Sequence, residues 1–306
     1  MSAVVTRNVA FAEVRSSMSG RSGLGAPVRD AFFKCEVDGR VRYPLAELMS
    51  SRNTSGGGRG GRTRVALYLA LLWVASGAPH ETERPANFWA TLLGLNDPEG
   101  AGSRVVRSTW RELHTRGFVN VVPGPYAGAV PVVQLLREDG SRRAYSIPTG
   151  DPREGDTYRR VPENAFQMLL PAPDLNGAGL AMYLVALRTA ERAQTTTGLV
   201  FPAPHVTAAY GIGASTRQKG LRNLEELSVL DVHRGSRVDD SGGVTQRRRQ
   251  RNTYDLHDLY ARPAAPTPAP SADAADRDST VSPSVPGTRD GRPVEQERSA
   301  DPLFPF

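Results

Sequence analysis

The stretch ASTRQKGLRNLEELSVL (Ala214–Leu230) decides the fold, because an earlier stretch, SRVVRSTWRELHTRGFV (Ser103–Val119), lies over it at an offset of 111 residues. With Arg111 set on Arg222, Leu113 meets Leu224, and Phe118-Val119 meets Val229-Leu230. Upstream, LALLWVA (Leu69–Ala75) lies over LAMYLVA (Leu180–Ala186) at the same offset. LLGL (Leu92–Leu95) corresponds to AYGI (Ala209–Ile212), which leaves a six-residue insertion in the first copy, within Asn96–Gly102. One such pattern is a vague helical signal. The same anchors twice, in the same order, indicate a duplicated unit.

Each copy reads as three helices followed by strands. In the second, Leu180, Tyr183, Leu184 and Leu187 recur at the spacing of an amphipathic helix. A short helix over Pro204–Tyr210 stops at Gly211, and a turn over Gly211–Ala214 leads into the third helix. Ser215 is placed as its N-cap, with Gln218 completing a capping box. Leu221, Leu224 and Leu227 turn that helix toward a core. Leu230 starts a strand, Gly235–Thr245 forms a hairpin tip, and Arg251–Leu256 returns. In the first copy the helices are Thr63–Ser76, Ala86–Leu93 and one from Ser103 that buries Val106, Trp110 and Leu113. The strands are Phe118–Val122, Val130–Arg137 and Arg143–Ile147, the last two joined by the Asp-Gly turn of Glu138–Ser141.

Working outward, the chain divides into an N-terminal extension with a Gly-rich linker (1–61), two folded blocks (62–149 and 158–261) separated by TGDPREGD, and a tail (262–306). Residues 1–28 read as loose, and 29–49 hold one short helix near Pro44–Met49. SSRNTSGGGRGG (Ser50–Gly61) has a flexible-linker composition. The tail is rich in Pro, Ala, Ser, Asp and Arg. It has too little apolar surface to offset the entropy of ordering, so it is expected to be disordered. Its apolar tip, Leu303-Phe304-Pro305-Phe306, leaves a protein partner for the tail open. The expected class is therefore α+β, mainly helical with small β elements, with disordered termini.

Formal net charge is +6, and almost every cation is Arg; Lys occurs only at Lys34 and Lys219. The charge favours an anionic partner weakly, and the Arg excess partly reflects a GC-rich coding bias. A single cysteine, Cys35, allows no intrachain disulfide, which fits a reducing compartment. The N-terminus lacks the apolar core of a signal peptide. Val65–Ala75, the most apolar run, is about half the ~20 residues a membrane span requires and reads as a buried helix. The expected setting is the cytoplasm, associated with the nucleoid, with no membrane contact.

Three helices followed by a hairpin, with small residues before the third helix, resemble the winged helix-turn-helix family. Two in tandem are similar in architecture to plasmid replication initiators and to some actinobacterial mobile-element proteins. The residues that carry the resemblance are LLGL and SRVVRSTWRELHTRGFV in the first copy and AYGIGASTRQKGLRNLEELSVLDV in the second. It implies that the third helix enters the DNA major groove with its N-terminal residues at base edges. In the second copy those are Ser215, Thr216, Arg217, Gln218 and Lys219, with Arg222 one turn on; in the first they are Arg104, Arg107, Ser108 and Arg111. Arg suits guanine and Gln suits adenine. It also implies a wing at the phosphate backbone, which matches Arg247, Arg248, Arg249 and Arg251: four like charges in five positions need phosphate or solvent to screen them. The expected partner is double-stranded DNA, for transcription regulation or for replication initiation at a plasmid or mobile element. A docking module for protein is the alternative, and a homodimer is left open.

Nothing in the sequence motivates catalysis or a cofactor. GGGRGGRT (Gly56–Thr63) nearly matches a P-loop, but Arg62 replaces the phosphate-binding Lys and no hydrophobic strand precedes it. The five histidines stand apart from one another and from Cys35, without metal-ligand spacing. Gly211–Gly213 opens a helix but follows no strand, so it reads as a helix-helix turn.

Overall fold

The computed structural model describes residues 3–17, 25–50, 59–126, 128–235 and 251–261. The fold is mixed α+β, built around two long helices, α3 (Arg59–Ala75) and α6 (Gly177–Ala193). Val65–Trp73 and Ala75 are buried in α3, and Leu180–Arg188 in α6. A helix that is apolar all round must be surrounded by protein, and these two pack against each other. The expectation of a one-sided, amphipathic α6 is thus corrected: Met182, Val185 and Ala186 on its far side are as buried as Leu180 and Leu184. Val65–Ala75 is the core helix its composition indicated.

The first half continues with β4 (Glu81–Thr82), α4 (Ala86–Leu92), α5 (Ser103–Arg116), β5 (Val119–Val122) and β6 (Val132–Leu135). The strands form an antiparallel sheet in the order β4-β6-β5. The second half contains α7 (Ala203–Tyr210), α8 (Ala214–Glu226), β8 (Leu230–His233) and β9 (Thr253–Leu256). Here β8 and β9 pair, and Leu199 bridges to Tyr254 in the place that β4 holds in the first half. The duplication is therefore topological as well as sequential. The halves do not align at a single offset: α4 and α7 begin 117 positions apart, α5 and α8 only 111. The long helices begin 118 apart, so Leu69 over Leu180 is not the structural equivalence.

Two glycines show why the turns repeat. Gly94 follows α4 at φ +63 and Gly211 follows α7 at φ +65. Both sit in the left-handed region that glycine enters without steric cost. A Cβ on Gly94 would lie 2.7 Å from the Pro171 carbonyl oxygen, and one on Gly211 2.6 Å from the Tyr43 ring. Between Leu95 and α5, the inserted stretch folds as a π-helical turn over Pro98–Gly102 that runs straight into α5. Asp97 caps it by accepting from the Gly100 and Ala101 amides at 3.1 and 2.7 Å.

The N-terminal residues are less loose than their composition indicates. Helix α1 (Ala3–Ser17) buries Ala10, Phe11 and Val14, with Phe11 5.7 Å from Trp73. Arg84 pairs with Glu13, and Arg15 with Glu163. Strand β1 (Ala26–Arg29) pairs antiparallel with β7 (Tyr158–Val161), in the register Ala26 to Val161. An Asp38-Gly39 turn joins β2 (Cys35–Val37) to β3 (Arg40–Arg42), and α2 (Pro44–Met49) follows where Pro44 indicated a helix. The element before the P-loop-like stretch is thus a helix, not the strand a P-loop needs.

A buried ion cluster ties these pieces together. Arg29 is fully buried; it meets Glu138 at 2.7 Å and Asp156 at 2.6 Å, and lies 4.9 Å over the Tyr145 ring. Burial by itself disfavours the guanidinium charge, but the Glu138 carboxylate and the hydrogen bonds to Asp156 and Glu138 raise its pKa, so it stays charged. Such a pair adds little net stability over an apolar packing, but losing one partner is costly. The cluster also overrides the expected Arg143–Ile147 strand. Leu136 and Ala144 make one isolated bridge, and Arg29 donates to the Ser146 backbone oxygen and hydroxyl instead. TGDPREGD is likewise more than a spacer, because its last residue, Asp156, belongs to this cluster. No described helix is long and apolar enough to cross a membrane.

Candidate nucleic-acid interface

In α5, Val106, Thr109, Trp110 and Leu113 are buried, so the opposite face is fixed by the 3.6-residue period. Arg104, Arg107, Ser108 and Arg111 all fall on it at i, i+3, i+4 and i+7, and all are exposed. Among the described residues no carboxylate pairs with these three arginines. The nearest in sequence, Glu112, is held by Arg64 at 2.6 Å. Ser108 turns its hydroxyl back to donate to the Val105 carbonyl, 2.9 Å away, and Arg111 Nε reaches the Arg107 carbonyl at 3.4 Å. Val105, 42% exposed, flanks the stripe. Gly117, at φ +82, ends the helix and lets the chain drop into β5.

The same positions in α8, shifted by 111, are Ser215, Gln218, Lys219 and Arg222, and all four are exposed. Arg222 pairs with Glu226 at 2.9 Å, both side chains well in solvent. Arg217 falls elsewhere. It is the counterpart of Val106, an inward position, and its guanidinium bends to donate to the Phe201 carbonyl at 2.8 Å. Its Nε is buried without a partner. The expectation that Arg217 stands free on the polar face is corrected; the helical period places it at the edge of the core. Thr216, the counterpart of Val105, is half-buried.

The capping box is also corrected. Gly213 occupies the N-cap, at φ −67 and ψ 158, and no side chain caps the helix. Ser215 is already inside the first turn, where its backbone is helical and its hydroxyl cannot reach the orphan amides as an N-cap would.

An open groove of about 630 Å³ lies between α8 and the β8–β9 hairpin, lined among others by Gln218, Arg222, Glu225, Arg234 and Tyr254. Arg234, which the sequence did not single out, reaches Glu225 at 2.7 Å. Its position directly after the end of β8, beside the helix, was the available signal. Arg251 is exposed just before β9. Arg247, Arg248 and Arg249 lie outside the described residues, as does the tail from residue 262. The two hairpins differ in chemistry. The loop between β5 and β6 carries no charged residue and exposes Tyr126 at 73%.

The chain matches no known protein-family model, and no curated protein and no solved structure is significantly similar to it.

Proposed function

We propose that the protein binds double-stranded DNA through two tandem winged-helix units, presenting α5 and α8 to the grooves. The observation that carries this reading is the stripe of Arg104, Arg107 and Arg111 on α5. Three guanidinium groups on one exposed face, without carboxylate partners among the described residues, form a surface that a polyanion complements. The repeated order of helices and hairpin supports it, as does the exposed counterpart stripe on α8 beside an Arg-bearing groove. Regulation of transcription and initiation of replication at a plasmid or mobile element both use such binding, and nothing in the proposed interface requires catalysis or a cofactor.

The test is a fluorescence-anisotropy titration of the full chain against labelled duplexes over several salt concentrations. Log affinity should fall linearly with log salt, by roughly 0.9 for each phosphate neutralised. Replacing Arg247, Arg248 and Arg249 with Ala should flatten that slope by about 2–3 units, whatever the duplex sequence. Absence of binding at low salt would turn the reading to the protein-docking alternative.

A further inference from the structure

Resting on the DNA-binding reading, we infer that α5 makes the protein prefer a guanine-rich segment, with Arg104, Arg107 and Arg111 as its specificity-determining residues. The argument starts from chemistry. A guanidinium is a planar fork of donors that matches the O6 and N7 acceptors of guanine in the major groove, whereas a lysine ammonium is a point charge without that match.

Spacing comes next. At 1.5 Å of rise per residue, Arg104 and Arg111 lie about 10.5 Å apart along the helix axis. Base pairs rise about 3.4 Å each, so the stripe spans about three steps. The remaining stripe residue, Ser108, spends its hydroxyl proton on the Val105 carbonyl and so offers a base edge only an acceptor, which the guanine O6 and N7 acceptors do not match.

Availability then separates the two helices. On α8 the stripe has one arginine, Arg222, paired with Glu226, and Arg217 is bent to the Phe201 carbonyl. On α5 the carboxylates around the helix are occupied: Glu112 by Arg64, Asp97 by the Gly100 and Ala101 amides, and Glu99 by the Asn87 amide at 2.9 Å. Asp97 and Glu99 also place negative charge at the turn leading into α5. That disfavours a phosphate at the helix N-terminus and leaves the side-chain stripe as the contact with DNA.

The experiment selects bound duplexes from a randomised pool with the full chain, then measures affinities of the wild type, Arg107→Ala and Arg107→Lys. Arg107 is exposed, and its side chain makes no hydrogen bond to any other described residue, so melting curves should coincide. A guanine-rich run of about four base pairs should emerge. Arg107→Ala should weaken binding to the selected duplex by about tenfold or more, with a smaller loss on random duplex. Arg107→Lys should lose the discrimination while keeping the salt slope. Binding without guanine enrichment, or equal losses on both duplexes, overturns the inference and leaves the DNA-binding reading standing. Failure of the wild type to bind any duplex overturns both.

Discussion

Helices α5 and α8 occupy the same place in the two halves and expose the same four positions, but they fill them differently. The α5 stripe is arginine at three of four positions, free of carboxylates among the described residues. The α8 stripe is Ser215, Gln218, Lys219 and Arg222, and its one arginine is paired. The sharpest contrast is at Val106 and Arg217. One position, facing inward in both helices, holds an aliphatic side chain buried in the first half and a guanidinium folded onto a backbone carbonyl in the second. A basic residue near the start of a third helix is therefore not by itself a reader. Its phase against the buried face decides. By that criterion Gln218 and Lys219 remain candidates in α8, and the whole set remains in α5.

The comparison treats the halves as two copies, but a common core joins them, and the largest expected effect tests that union. Arg29→Met removes the partner of Glu138, which is as fully buried as Arg29 itself. Stability at neutral pH should fall by about 3–5 kcal/mol, measured by urea denaturation. A loss under about 1 kcal/mol would mean that water or rearrangement compensates the cluster, contrary to its burial.

A paired substitution is next in size. All three tryptophans, Trp73, Trp89 and Trp110, lie in the first half, so their fluorescence follows that half and its contact with the second. Leu184→Ala, in the second half, should cost about 2–5 kcal/mol and should move the fluorescence transition just as Leu69→Ala, in the first half, is expected to. The reason is that α3 packs on α6 and Trp73 stacks on Phe166 with ring centroids 4.9 Å apart. A fluorescence midpoint untouched by Leu184→Ala would show that the halves unfold separately.

Third, Gln218→Ala and Arg217→Ala should part company. The first should weaken binding to the preferred sequence by about 1–3 kcal/mol with little change on random duplex. The second should lower stability by about 1 kcal/mol through the lost hydrogen bond and affect both duplexes alike. If Arg217→Ala alone abolished sequence preference, the phase argument that separates it from Gln218 would fail.

The smallest effect is a pH dependence. Burial alone pushes the Asp156 carboxyl up, but hydrogen bonds from Arg29 and from the Thr149 amide, with the Arg29 and Arg137 charges, hold it below its ordinary 3.8. Because the folded value is the lower one, the stabilisation is present above 3.8 and is lost as pH falls through the folded value. Asp156→Asn should therefore be less stable than wild type at neutral pH, with the gap narrowing below pH 3.8. An unchanged gap in acid melting curves would assign the loss to packing instead.

By itself the sequence determined what local rules control. The hydrophobic period set helices over Ala86–Leu92 and Ser103–Arg116, Gly211 set the end of α7, and the anchors shared by α4–α5 and α7–α8 revealed the duplication, whereas the Leu69–Leu180 anchor was out of register. Ladder partners were less legible. The expected hairpin across Glu138–Ser141 is reduced to the Leu136–Ala144 bridge and a 2.9 Å hydrogen bond from the Arg137 amide to the Arg143 carbonyl, while β4 and β5 flank β6. Glu138 and Ser146 answer instead to Arg29, 109 and 117 residues away. The same distance hid α1, whose buried Ala10, Phe11 and Val14 make a weak stripe until Trp73 covers it, and β1, whose partner β7 lies beyond the whole first half. The interface divides in the same way. Residue type and spacing named the α5 stripe and, on α8, the four exposed residues together with Thr216 and Arg217, which the helical period sets off the stripe. Only the tertiary structure decided which arginines are free, because a guanidinium's availability depends on the carboxylates and carbonyls that folding brings within hydrogen-bond reach.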